Sequence, residues 1–223
     1  RLPVNVVVLA EGEEEVGSEH LMPFVEKHAA RLAADAVVIS DTVMVAPGMP
    51  TIGASLRGLA YFQIEVQGPS HDLHSGSYGG AVVNPATALA RILASFHDEN
   101  WRVAIPGFYD DVRPAPEYRE QIRAVPFEEE AFRSETGAPA LVGEAGFSTL
   151  ERLWVRPTCE VNGLLSGYTG EGAKTVLPAR AMAKVSCRLV PDQDPERIAE
   201  AFRRHVERVA PEGVTVSVEY LHG

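Results

Sequence analysis

The chain opens on an unbroken apolar run, "VNVVVLA" at 4–10, and a second follows at "AVVIS", 36–40. Continuous β-branched runs of that length predict strands buried on both faces of a parallel sheet. Between them, "EHLMPFVEKHAARLAA" (19–34) sets Leu21, Phe24, Val25 and His28 at helical spacing. Ser18 is the expected cap of that helix, and Pro23 falls in its first turn, where proline is tolerated. Residues 1–56 therefore read as strand, loop, helix, strand, loop, an α/β piece. Both loops are acidic and follow strand C-termini, where open α/β sheets collect ligands.

The period changes near Arg57. "LAYFQIEVQG" (59–68) alternates, with Ala60, Phe62, Ile64 and Val66 on one face, as in an antiparallel strand with one wet side. "NPATALARILASFHDE" (84–99) predicts a helix capped by Asn84 with Pro85 at its first position. Residues 100–153 form a long insert with two or three short helices. Strands at 158–167 and 179–191, an amphipathic helix at 194–210 and a closing strand at 214–221 complete the order. A β, α, insert, β, β, α, β succession predicts a ferredoxin-like α+β sandwich, with four antiparallel strands and two helices, over 57–223.

Composition sharpens this picture. The chain has 223 residues, 45% hydrophobic and 23% charged, ordinary for a soluble globular protein. Its net charge of −11 disfavours nucleic acid and anionic membranes as partners. No apolar run approaches the roughly 18 residues of a membrane span, and no secretory signal is visible. Cys159 and Cys187, the only cysteines, sit far apart in strand-like segments. They read as buried thiols in a reducing, cytoplasmic setting, with a disulfide the less favoured reading. The abrupt start before one strand and end after another read as a piece of something longer.

The candidate chemistry begins at "AEGEEEVGS", 10–18. Three adjacent carboxylates, Glu13, Glu14 and Glu15, repel one another unless water screens them or a cation sits among them. The plain reading is a solvated loop at a helix N-terminus, where the dipole favours negative charge. Asp41, closing the neighbouring apolar run, changes the weighting. Two strand tips bring carboxylates together, and divalent cations take such oxygen ligands. One glutamate can then bind metal while its neighbour moves protons.

The motifs "EGEEEVGSEHL", "VVISDT", "GPSHDLHSGSYGG", "PTCEVNGLLSGYTGEGAKTVLP" and "CRLVPDQDP" occur in that order along nearly the whole chain. Together they resemble the ArgE/DapE-type dinuclear metallopeptidases, most of all the dipeptidase and carnosinase branch. The resemblance implies that 1–56 is a strand-helix-strand part of a phosphorylase/hydrolase-like catalytic domain and that 57–223 is its lid and dimerisation domain. It implies Glu14 as general base, Glu15 as a ligand of one metal and Asp41 as a ligand of the other. It implies His74, in "DLHSG", as the donor that stabilises the oxyanion in the partner subunit's site. Thr175 and Arg188 match substrate-binding positions, the arginine pairing a substrate carboxylate. The implied activity is hydrolysis of dipeptides or small N-acyl amino acids by two divalent ions, zinc ahead of manganese or cobalt, in a homodimer.

The residues also show what is missing. The family's upstream H-x-D motif, bridging aspartate and late histidine ligand have no counterpart here, so these residues alone are expected to bind metal weakly and to be inactive. His20, His28, His71, His97, His205 and His222 form no metal-like pair and are expected mostly on helix surfaces. A competing reading from another class is a dimerisation or small-molecule-binding module with a vestigial catalytic remnant, since a ferredoxin-like fold hosts such roles too.

Overall fold

The computed structural model describes residues 3–39, 44–45, 48–53, 55–113 and 116–223, apart from the side chain of Glu117. The chain divides into two compact units, Arg1–Ala54 and Ser55–Gly223.

In the first unit a 3-10 turn, Glu14–Val16, is closed by Gly17 at φ 99°, and helices α1 (Leu21–Lys27) and α2 (Ala29–Leu32) follow. The helical spacing was legible, but it breaks at His28 (φ −113°, ψ 16°). Ser18 is not the cap. It adopts a left-handed conformation with φ 54°, and the N-cap is His20. The predicted strands are also absent: 4–10 and 36–39 have no paired neighbour among the described residues, and Val6, Val8, Val37 and Val38 are exposed. A strand exists only where a second backbone completes its ladder. Without one, a β-branched run stays wet. No described residue of this unit is buried.

The second unit holds the core. Its long strands are β1 (Gly58–Gln67), β3 (Thr158–Ser166), β5 (Arg180–Leu189) and β6 (Thr215–His222). They form one antiparallel sheet in the order β3-β5-β1-β6. A two-residue ladder pairs β2 (Leu73–His74) with β4 (Val176–Leu177), and a single helical turn, α3 (Ser75–Tyr78), follows β2. Helices α4 (Pro85–Ala94) and α8 (Pro195–Val209) cover one face of the sheet. Asn84 and Asp194 cap them by accepting from backbone N–H groups of the first turn, and each is followed by proline at a position that needs no donor.

Alternation explains the sheet. Ala60, Phe62, Ile64 and Val66 are all at most 1% exposed and meet Ala181, Ala183, Val185 and Cys187 across the register. Phe202 of α8 stacks on Phe62 with centroids 4.1 Å apart, and Phe96 tilts against Phe202 at 5.1 Å. Burying such a ring stabilises the fold by about 1.5–3 kcal/mol. The other face is polar: Lys184 donates to Gln63, Gln63 to Glu65, and Arg180 to Gln67.

The insert carries α5 (Pro116–Ala124), α6 (Glu129–Thr136) and α7 (Thr149–Trp154). It is held by planar cations on rings. Arg102 and Arg156 lie over Tyr109, and Arg156 and Arg119 over Phe147, at 4.0–5.1 Å. Ser148 and Glu151 form a capping box for α7, and Glu151, 1% exposed, also accepts from Arg119. Among the described residues no helix is long and apolar enough to cross a membrane.

Candidate functional site

The acidic trio does not act as one group. Glu13 turns back on the chain: its carboxylate accepts from the His20 backbone N–H at 3.3 Å and lies 2.9 Å from His20 Nδ1. That imidazole holds the Glu13 carboxyl below the usual carboxylate range. Glu14 and Glu15 sit in the turn that follows, both exposed. Asp41, expected as their counterpart, lies outside the described residues. Among the described residues no three histidine, cysteine or acidic side chains come together as a metal cluster. Two neighbouring glutamates do not fill the four or more positions of a divalent ion.

His74 and Thr175 are brought together. The β2–β4 ladder sets Leu73 opposite Leu177 and His74 opposite Val176, and the Ser75 N–H donates to the Thr175 carbonyl at 3.1 Å. The loop is tied further at Asp72, which accepts from Ala179 N–H at 2.8 Å, and at Gly68, whose N–H donates to the Ala179 carbonyl at 2.9 Å. His74 is the N-cap of α3, and its Nδ1 accepts from the Gly76 N–H at 3.1 Å. A backbone N–H can only donate, so Nδ1 is the bare nitrogen and the neutral ring carries its proton on Nε2. The side chain is exposed. The result is an N–H donor with a fixed tautomer on an ordered loop. Glycine makes this possible: a Cβ on Gly76 would lie 2.9 Å from His74 Cε1, and one on Gly79 would collide with the Ser75 carbonyl oxygen.

Arg188 lies elsewhere. It sits on the polar face of β5 between Leu59 and Thr158, exposed, eight residues beyond Arg180. At about 3.3 Å per residue that is roughly 26 Å of strand. Arg188 lines a cleft of about 500 Å³ between the sheet and the insert, with Arg57, Arg156, Glu144, Glu160 and Trp101 among the other walls. Arg156 is held bidentately by Glu144 at 2.6 and 2.7 Å, and Arg152 donates to the Glu144 carbonyl. Arg57 donates to the Arg156 carbonyl at 3.4 Å, and burial together with the charge of Arg188 lowers its pKa. Arg188 forms no ion pair among the described residues.

Sequence reasoning missed Arg57, although it precedes Leu59 and Tyr61 on the same alternating face. It missed Glu144 and Arg156 because an insert has no period to read. His205, expected on a helix surface, is 4% exposed, with Nε2 at 2.8 Å from Ser95 Oγ. The position is buried, against Ser95 and Phe96 at the end of α4, because α8 is amphipathic and His205 lies three residues from buried Phe202.

A loop of this geometry, on a sheet of this order, has counterparts among known proteins. The profile of the M20 "peptidase dimerisation domain" matches residues 54–214. The chain belongs to the M20 peptidase family. The chain is 36% identical over 210 residues to the Cys-Gly metallodipeptidase of Schizosaccharomyces pombe, covering 93% of this chain and 44% of that one. It is 34% identical over 213 residues to human Beta-Ala-His dipeptidase, covering 93% and 42%. The crystal structure of an M20 family metallo-carboxypeptidase from Sulfolobus solfataricus superposes with a TM-score of 0.79 at 37% identity, covering 93% of this chain and 47% of that one. The chain thus spans less than half the length of these M20 relatives. The four-stranded antiparallel sheet with its helices agrees with the expected fold class.

Proposed function

We propose that this chain is the lid and part of the catalytic domain of a metal-dependent dipeptidase, which hydrolyses the amide bond of dipeptides or small N-acyl amino acids. The observation that carries the reading is the His74 ring, whose tautomer is set by Gly76 and whose Nε2–H faces outward as a ready donor to a developing oxyanion. Similarity to metallodipeptidases supports the reaction class. Two divalent ions, zinc by preference, supply the polarising charge when bound. In this reading Glu15 and Asp41 each give one ligand and Glu14 moves the proton of the attacking water. Two carboxylates do not complete such a centre, so these 223 residues alone bind metal weakly and do not turn over substrate. We place the protein in the cytoplasm, where two free thiols stay reduced.

Assembly follows from the separation of the anchors. A dipeptide is about 7 Å long, so His74 and Arg188 of one chain, a strand length apart, cannot both hold it. Both serve one substrate when His74 and Thr175 come from one copy and Arg188 from the other. The homodimer contact is the β3 edge, where Val161, Leu164 and Leu165 are 45%, 63% and 59% exposed.

The test uses the intact enzyme. His74→Ala lowers kcat about 10²–10³-fold with metal content unchanged, and Glu14→Gln abolishes hydrolysis while keeping metal. Arg188→Gln raises KM for dipeptides with a free carboxylate and leaves that for their C-terminal amides unchanged. Full activity in His74→Ala overturns the assignment of His74, and an intact protein that hydrolyses no dipeptide favours the competing reading, a non-catalytic dimerisation or small-molecule-binding module.

A further inference from the structure

The two cysteines are distant in sequence and adjacent in space. Cys159 on β3 and Cys187 on β5 are direct register partners. Both are free thiols, 1% and 0% exposed, on the helix-covered face of the sheet. Directly opposed residues hold their β-carbons about 4.5–5.5 Å apart, and a disulfide needs about 3.5–4.5 Å. The gap to close is therefore about 1 Å or less. The strand that has to move can do so in the free chain: among the described residues β3 is a sheet edge paired with β5 alone, and its register already slips between Val161 and Gly163. In the single chain a shift of Cys159 toward Cys187 breaks no second ladder among the described residues.

We propose that Cys159 and Cys187 are an oxidation site, a cross-strand dithiol that closes to an intramolecular disulfide in the presence of hydrogen peroxide. The neighbouring Cys187 thiol and the dry surroundings push the Cys159 thiol well up, so the resting form is the reduced dithiol. Reaction proceeds when the β3 edge opens and one thiol loses its proton. That thiolate attacks the peroxide O–O bond, giving a sulfenic acid and hydroxide, and the hydroxide takes up a proton. The second thiol displaces the sulfenic hydroxyl as water. In sum two thiols give up two electrons and two protons, one S–S bond forms, and one peroxide becomes two waters. The product closes a loop of roughly 30 residues that contains Thr175 and β4. A closure of that size raises the unfolding midpoint by roughly 7–14 °C. The proposal is independent of the hydrolase reading.

The test compares the reduced chain with the same chain treated with hydrogen peroxide under native conditions. The expected product has lost two hydrogens by intact mass and yields a Cys159–Cys187 cross-linked peptide. It titrates no thiol after unfolding and melts at the higher temperature until dithiothreitol restores the starting value. Cys159→Ser shows no such mass loss. Because that variant can weaken the core, the wild-type comparison carries the decision. Two thiols still titratable after treatment, oxygen added to either sulfur, or a cross-link between chains each overturns the proposal.

Discussion

Gly76→Ala isolates what fixes the His74 donor. Gly76 has no left-handed backbone, so alanine meets no φ penalty there and lowers the entropy of the unfolded chain, worth about 0.5–1 kcal/mol in a helix. The conflict is with the imidazole, since the new methyl would sit 2.9 Å from Cε1 and 3.2 Å from Nδ1. The ring has to rotate away, and the Gly76 N–H to Nδ1 bond of 3.1 Å is lost. A neutral hydrogen bond contributes about 1 kcal/mol, a roughly five-fold bias toward the Nε2–H tautomer. The variant should therefore be about as stable as the wild type in urea while the bias disappears. Long-range nitrogen–proton spectra of histidine-labelled protein read the tautomer directly. In the intact enzyme the share of rings with the proton on Nε2 should fall from about five in six to about half, lowering kcat by at least about 1.7-fold, and by up to about 10²–10³-fold if the ring leaves the site altogether. A Gly76→Ala variant whose His74 keeps its proton on Nε2 would refute the reasoning, because the hydrogen bond would then not be what sets the tautomer.

Three further outcomes concern the fold. Phe202→Ala removes the ring stacked on Phe62 and should cost about 3–5 kcal/mol in urea unfolding, with no loss expected at the exposed His74 loop. Arg119 and the Ser148 N–H hold the Glu151 carboxyl at about 2, so its stabilisation is complete above pH 4.5 and is lost as pH falls toward 2. Glu151→Gln should flatten that acid limb, worth up to roughly 3 kcal/mol, in a pH series of melting curves. Burial first, and then the Arg208 charge, lower the pKa of His205, so the unfolded chain binds its proton more readily. Stability contributed by neutral His205 is present above pH 6.5 and declines below it. His205→Gln should remove that decline, and an unchanged slope would show that His205 stays neutral for another reason.

What was legible in the sequence is what repeats. Phe62, Ile64 and Val66 announce a half-buried strand by period alone, and Asn84-Pro85 and Asp194-Pro195 announce the helices by cap chemistry. The same reasoning failed at 4–10, where an apolar run predicted burial that depends on a neighbouring strand. It failed at Ser18, where the general preference for serine caps lost to a specific contact, the Glu13 carboxylate on the His20 N–H. Glu151 was invisible because its partner Arg119 is 32 positions away in an insert without period. The opposed thiols were invisible for a related reason: register across β3 and β5 depends on a slip at Val161/Gly163 that alternation does not encode.

The cleft gives an argument for Arg188 that owes nothing to resemblance. Four arginines line it in a chain of net charge −11, and three of them are engaged. Arg156 gives its fork to Glu144 and its planar faces to Tyr109 and Phe147. Arg152 donates to the Glu144 carbonyl and Arg57 to that of Arg156. These contacts hold the insert against the sheet, and the Arg156 fork, closed on Glu144, has little left for a ligand. Arg188 remains, on a rigid central strand, with its fork unpaired among the described residues and with Arg57 raising the local positive potential. A carboxylate entering the cleft meets in Arg188 a bidentate partner, and the sheet has already fixed where that partner stands.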